Sequence, residues 1–266
     1  MRFLESMVAR RRERILAEYG GLDEADRERL AACGGPPRDF TAALRDRVDV
    51  AVIAEVKKAS PSAGPIAPDC EASKQALHYQ DGGAAAISVL TEPEEFGGAF
   101  SDLADVADAV DVPVLCKDFV VDPVQLFVAR GNGADAVLLI VRVLGDLIPN
   151  YADLALTLGL TPVVEVADVR ELPRAWGSGA PVIAVNSRDL RTLKVDAVAQ
   201  AEVITHATRS DVLVVAASGI GTRSDVERAG SAGAHAVLVG ESLMRTAFPE
   251  DVLGELTGVP RARPSG

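Results

Sequence analysis

Val52-Ile53-Ala54-Glu55-Val56-Lys57-Lys58-Ala59-Ser60-Pro61-Ser62 is an apolar run that ends in charged residues and then turns. In a strand, side chains two apart share a face. Glu55 and Lys57 therefore project together from the end of a buried strand. The Ser-Pro-Ser turn after them offers hydroxyls and backbone N–H groups. Taking a carboxylate and an ammonium out of water is costly unless they pair or do chemistry. Alone, the segment fits a structural ion pair as well as a catalytic one. The rest of the chain decides between them.

Outward from this segment, apolar β-branched runs recur in alternation with helical patterns. The runs cover residues 50–56, 85–90, 112–117, 136–141, 162–166, 182–185, 212–216 and 236–239. Helical spacing fills 71–80, 101–110, 123–130, 150–158, 169–175, 197–207 and 223–232, with one last helix from 243 to about 256. Strands alternating with helices of this length imply βαβ units, right-handed crossovers and a parallel sheet. Eight such units in a 266-residue chain favour closure over an open sheet. The expected fold is α/β, a single (β/α)8 TIM barrel over residues 48–257. A helical extension over residues 1–47 packs on it, and residues 258–266 form a frayed, disordered tail. No G-x-G-x-x-G follows the first strand, which weakens a dinucleotide-binding reading.

Composition agrees with a buried parallel sheet: 48% of residues are hydrophobic but only 4% aromatic, so the core is aliphatic. The net charge of -12 argues against nucleic acid as a partner. It also requires that any anionic ligand be held by a local cationic cluster working against the global field. Cys33, Cys70 and Cys116 are odd in number and lack C-x-x-C spacing, so they read as reduced thiols in a cytoplasmic protein. His78, His206 and His235 lack metal-ligand spacing and read as structural or surface residues. The N-terminus has no signal-peptide pattern, and no apolar run is long enough to span a bilayer. Arg10-Arg11-Arg12-Glu13-Arg14, within a helix expected over residues 2–18, reads as a solvated face with Glu–Arg pairs. Further helices are expected over 24–32 and 40–47.

In such a barrel the active site lies at the C-terminal ends of the strands. There the first run ends with Glu55 and Lys57, the third with Lys117-Asp118-Phe119, and the sixth with Asn186-Ser187-Arg188-Asp189. The fifth carries Glu165; the seventh and eighth end with Ser218-Gly219 and Gly240-Glu241-Ser242. The second and fourth end less informatively, with Thr91-Glu92 and Arg142. Two lysines and two carboxylates on one rim form an acid–base set. Small residues after the seventh and eighth strands let backbone N–H groups approach a phosphate, and Ser60 and Ser62 add hydroxyl donors.

These motifs, with Leu90-Thr91-Glu92, Phe96 and Leu138-Leu139-Ile140, occur in the order seen in the indole-3-glycerol phosphate synthase family, which the chain resembles from Phe40 onward. The resemblance implies ring closure of 1-(2-carboxyphenylamino)-1-deoxyribulose 5-phosphate with loss of CO2 and water. It implies catalytic roles for Glu55, Lys57, Lys117, Glu165, Asn186 and Ser218. Substrate-binding roles fall to Ser60, Phe96, Phe119, Arg188, Gly219, Gly240 and Ser242. It implies no metal and no organic cofactor; the partner is a sugar-phosphate substrate, with no nucleic acid and no membrane, and monomer or homodimer is left open. One departure stands out: Ala217 occupies a position where the family usually has glutamate. That keeps a second expectation alive, a non-catalytic or specialised-pathway paralogue binding a related sugar phosphate. A barrel isomerase is disfavoured, because that pattern expects a cysteine where this chain has Glu55 and Lys57.

Overall fold

The computed structural model describes residues 2–186, 188, 196–209 and 211–261. Among the described residues, eight parallel strands close into a barrel. They are β1 (Ala51–Val56), β2 (Ala86–Leu90), β3 (Val114–Lys117), β4 (Ala136–Ile140), β5 (Thr161–Val166), β6 (Val182–Asn186), β7 (Leu213–Ala217) and β8 (Ala236–Val239). Each strand pairs with the next, and β8 returns to β1 with Ala51 opposite Ala236 and Ala54 opposite Val239. Every strand is continuously buried or nearly so, because helices cover the outside and side chains fill the inside.

Helices α1 (Arg2–Tyr19), α2 (Glu24–Ala32) and α3 (Phe40–Arg45) precede β1. Asp23 and Asp39 cap α2 and α3 by accepting the backbone N–H groups of Asp26 and Ala42. Phe40 and Leu44 are fully buried in one cluster with Ala51, Ala86, Ala136 and Ala236. Those alanines stand at or near the N-terminal ends of their strands, and their small side chains leave room for α3 to plug the barrel floor. Asp135 anchors the chain just before α3, accepting from the Arg38 backbone at 2.6 Å and its Nε at 2.8 Å.

Between strands run α4 (Ala72–Asp81), α5 (Phe100–Ala109), α6 (Val124–Gly131), α7 (Val141–Leu144) and α8 (Ile148–Thr157). They are followed by α9 (Leu172–Gly177), α10 (Ala197–Ala207), α11 (Arg223–Ser231), α12 (Glu241–Met244) and α13 (Pro249–Leu256). The single last helix expected over 243–256 is two helices. Proline lacks an N–H and its ring collides with the carbonyl four residues back, so a helix can begin at Pro249 but not run through it.

The Arg-rich run of α1 also departs from expectation. Arg11 is buried, not solvated, and its guanidinium grips Asp118 with Nε–Oδ1 3.0 Å and Nη2–Oδ2 2.5 Å. Strict helical periodicity could not reveal this, because the partner lies 107 residues away. At the other end, Val259 is buried and its carbonyl accepts the Val50 N–H at 2.7 Å, while Arg261 donates to the Asp49 carbonyl at 2.8 Å. Residues 258–261 of the expected tail are thus held against the barrel floor; residues 262–266 lie outside the described residues. No helix among the described residues is long and apolar enough to cross a membrane.

Candidate active site

A cavity of about 510 Å³ opens at the C-terminal ends of the strands. All the site residues expected from the sequence line it: Glu55, Lys57, Lys117, Glu165, Asn186, Ser218, Ser60, Phe96, Phe119, Arg188, Gly219, Gly240 and Ser242. Ser187 and Asp189, from the same sixth-strand motif, lie outside the described residues.

The centre is built by strand parity. Glu55 and Lys57 share a face, as two-residue spacing requires, and their Oε1 and Nζ are 2.7 Å apart. Lys117, the last residue of β3, places Nζ 3.4 Å from the other oxygen of Glu55. Glu165 enters from β5, with Asn186 at the end of β6 beside it. The result is a chain of alternating charge: Lys57, Glu55, Lys117, Glu165.

Alternation separates the two carboxyls. Burial alone pushes Glu55 up, but the ammonium groups of Lys57 and Lys117 outweigh it and hold the carboxyl below its ordinary value. Burial also pushes Glu165 up, and there Lys117 and the Asn186 side chain only partly oppose it. Lys117 is pulled down by burial and raised further by Glu55 and Glu165, so it remains an ammonium. Two like side chains with opposite shifts give one ionised carboxylate and one that holds a proton more tightly, with an acid between them.

On one side, Phe96 and Phe119 face each other with ring centroids 6.3 Å apart. The loop carrying Phe96 is wound around Glu92, whose carboxylate accepts the N–H groups of Glu94 at 3.0 Å, Glu95 at 2.8 Å and Phe96 at 3.2 Å. Thr91 donates to Asp118 at 2.9 Å. The end of β2, less informative in sequence than the other strand ends, thus organises the aromatic wall. The available signal was a glutamate entering a Pro-containing turn. Arg142 lies outside the cavity, paired with Glu171 at 2.6 Å and Asp168 at 3.3 Å. Phe3 of α1 joins the cavity rim, which helical spacing did not suggest.

Across the closed barrel from β3 lies β7. After it, Ser218 and Gly219 both adopt left-handed backbone, with φ 69° and 74°. Such a conformation costs a non-glycine residue about 1–3 kcal/mol and concentrates at functional sites. Ser242 Oγ is buried without a protein partner. Ser60 and Ser62 hydroxyls are 3.3 Å apart on the β1 loop. The N–H groups of Gly221 and Thr222 are already taken by Asp225, at 3.1 and 3.0 Å. This end therefore offers hydroxyls and the backbone around 218–219 and 240–242, while the Gly221 and Thr222 N–H groups are already committed. Among the described residues no cluster of His, Cys, Asp or Glu is placed to hold a metal ion.

Fold and site together define a (β/α)8-barrel enzyme whose strand ends gather an acid–base set beside hydroxyl and backbone groups suited to an anionic small molecule. The family model described as indole-3-glycerol phosphate synthase matches residues 4–256. An indole-3-glycerol phosphate synthase of Mycobacterium ulcerans is 43% identical over 254 residues, covering 95% of this chain and 93% of that one. One of Mycobacterium tuberculosis is 42% identical with the same coverage. The chain belongs to the indole-3-glycerol phosphate synthase family. Solved structures with the same fold include a tryptophan synthase alpha-subunit variant from Pyrococcus furiosus, with TM-score 0.62 and 16% identity over 79% of this chain and 99% of that chain. A 3-hexulose-6-phosphate synthase aligns with TM-score 0.63 and 17% identity, covering 78% and 98%.

Proposed function

We propose that this cavity closes the pyrrole ring of 1-(2-carboxyphenylamino)-1-deoxyribulose 5-phosphate, as a carboxy-lyase of the indole-3-glycerol phosphate synthase type. The observation that carries the reading is Lys117, held between Glu55 and Glu165 at the centre of the cavity. In the reaction the ring carbon bearing the carboxylate attacks the ketone carbon, and the ketone oxygen must gain a proton. Lys117 is the general acid for that step. CO2 then leaves and its bond electrons restore the ring. The new hydroxyl departs as water after protonation by a lysine, and Glu55 or Glu165 accepts the proton the ring system loses.

Binding divides along the cavity. Lys57 holds the substrate carboxylate, Phe96 and Phe119 flank its ring, and Asn186 and Arg188 fix the hydroxyls. Ser60, Ser218, Gly219, Gly240 and Ser242 hold the phosphate, whose binding energy orients the reacting end. The same reading places the enzyme in the cytoplasm, supported by the three free cysteines.

Ala217 favours a second reading. It is buried on the cavity wall, in register with Asn186 and Leu238, where a glutamate would add a third carboxylate. An indole-fluorescence turnover assay separates the two. Turnover by wild type and its loss by about 10²–10⁴-fold in Lys117→Ala, with inorganic phosphate affinity kept, support the synthase. An inactive wild type that gains turnover in Ala217→Glu means a lost activity, and inactivity of both sinks the proposal.

A further inference from the structure

Gly240 follows β8 where the barrel closes onto β1. Its φ of −130° lies outside the left-handed region, so the backbone conformation there does not call for glycine. Space does. A Cβ at position 240 would stand 2.6 Å from Glu55 Oε1, 3.0 Å from Lys57 Nζ and 3.2 Å from Glu55 Cβ. Carbon and oxygen atoms at 2.6 Å overlap, so something must shift. Glu55 Cβ belongs to a buried strand locked in register with β8 and β2, and cannot retreat. The atoms able to move are the carboxylate oxygen and the ammonium, the two partners of the 2.7 Å ion pair.

We infer that Gly240 is a positioning residue for the Glu55–Lys57 pair: the missing side chain is the space in which the two charges meet. This goes beyond a phosphate-approach role for the same glycine and rests on the synthase reading only for its kinetic readout. Any side chain at 240 pushes the Glu55 carboxylate off Lys57, toward Lys117 or into the cavity. Without Lys57 beside it, Glu55 loses an opposite charge that favours its ionised form.

The test is Gly240→Ala. Expected are a fall in kcat of about 100-fold, the cost of misplacing a reacting group by about 1 Å, and an acid limb of the kcat–pH profile moved to higher pH. Inhibition by inorganic phosphate, which reads the backbone role of Gly240, should weaken far less than kcat falls. Loss of phosphate inhibition with an unmoved pH profile would overturn the inference, as would an unchanged enzyme. Glu55→Asp supplies the second variant, because shortening the side chain withdraws the colliding oxygen. Gly240→Ala should then cost much less in the Glu55→Asp background than in wild type. If Gly240→Ala fails to fold, the double variant must fold; its failure too would place the obstruction in the backbone and overturn the inference. Carbon-13 NMR titration of the Glu55 carboxyl needs no turnover. An upward move in Gly240→Ala supports the inference even if wild type proves inactive as a synthase, and no move refutes it.

Discussion

Glu55 and Glu165 carry the same functional group and are shifted in opposite directions, which makes protonation a property of place. Glu165 ionises in the ordinary carboxylate range when the chain is unfolded, and burial makes it keep its proton to higher pH when folded. As pH rises through that interval, the unfolded chain releases a proton that the native state still holds, and stability falls. Glu165→Gln removes this loss. Its melting temperature should match wild type at pH values below the ordinary carboxylate range and exceed it by a growing margin as pH rises. Calorimetry across pH checks this, and a constant margin would mean that the carboxyl is not shifted upward. The same variant should lose turnover by about 10²–10⁴-fold. Glu55, Lys57, Lys117 and Glu165 were legible in the sequence because charges at or near the ends of several apolar runs gather on one rim, although each alone has a bland explanation. Glu92 was not, since its work is local capping of backbone N–H groups and it looks like any surface glutamate.

At the scale of elements, α1 is bound to the rim by two consecutive arginines with different energetics. Arg10 pairs with Glu94 at 2.6 Å and Glu95 at 2.8 Å on the Phe96 loop, in partly exposed positions. Arg11 is buried against Asp118, the residue after Lys117, with its guanidinium 5.7 Å above the Phe100 ring. Removing one member of a buried pair leaves an uncompensated charge and costs about 3–5 kcal/mol. A partly exposed pair is worth about 0–1 kcal/mol. Urea unfolding should therefore show Arg11→Met far more destabilised than Arg10→Ala. Adding Asp118→Asn to Arg11→Met should recover part of the loss, because the orphaned charge is gone. Equal effects of the two arginine substitutions would sink this account. The helix itself was plain from apolar spacing, whereas which arginine faces inward depended on where β3 ends.

For the molecule as a whole, closure at the floor is the matching problem to chemistry at the rim. Phe40 and Leu44 fill the floor, and residues 258–261 run beside Asp49 and Val50. Truncation after Thr257 should destabilise the protein by at least about 2 kcal/mol more than truncation after Arg261. Burying Val259 alone accounts for about that much. Thermal and urea unfolding of the two truncations check it, and equal stabilities would mean that the contacts of 258–261 contribute nothing.

The sequence by itself determined the α/β class and pointed to the barrel, because eight apolar β-branched runs alternating with helical spacing favour closure over an open sheet in a chain this long. It determined the rim residues for the same reason, since parity and strand direction assign each strand-end side chain to a face and an end. Only the tertiary structure decided which side chains meet across strands. It set Lys117 between Glu55 and Glu165, sank Arg11 onto Asp118, gave the Gly221 and Thr222 N–H groups to Asp225, and left at Gly240 the space for the Glu55–Lys57 pair. The Lys117–Glu55 and Arg11–Asp118 contacts join residues far apart in the chain, and the space at Gly240 is a fit to within a few tenths of an ångström that follows from packing, which no local pattern encodes.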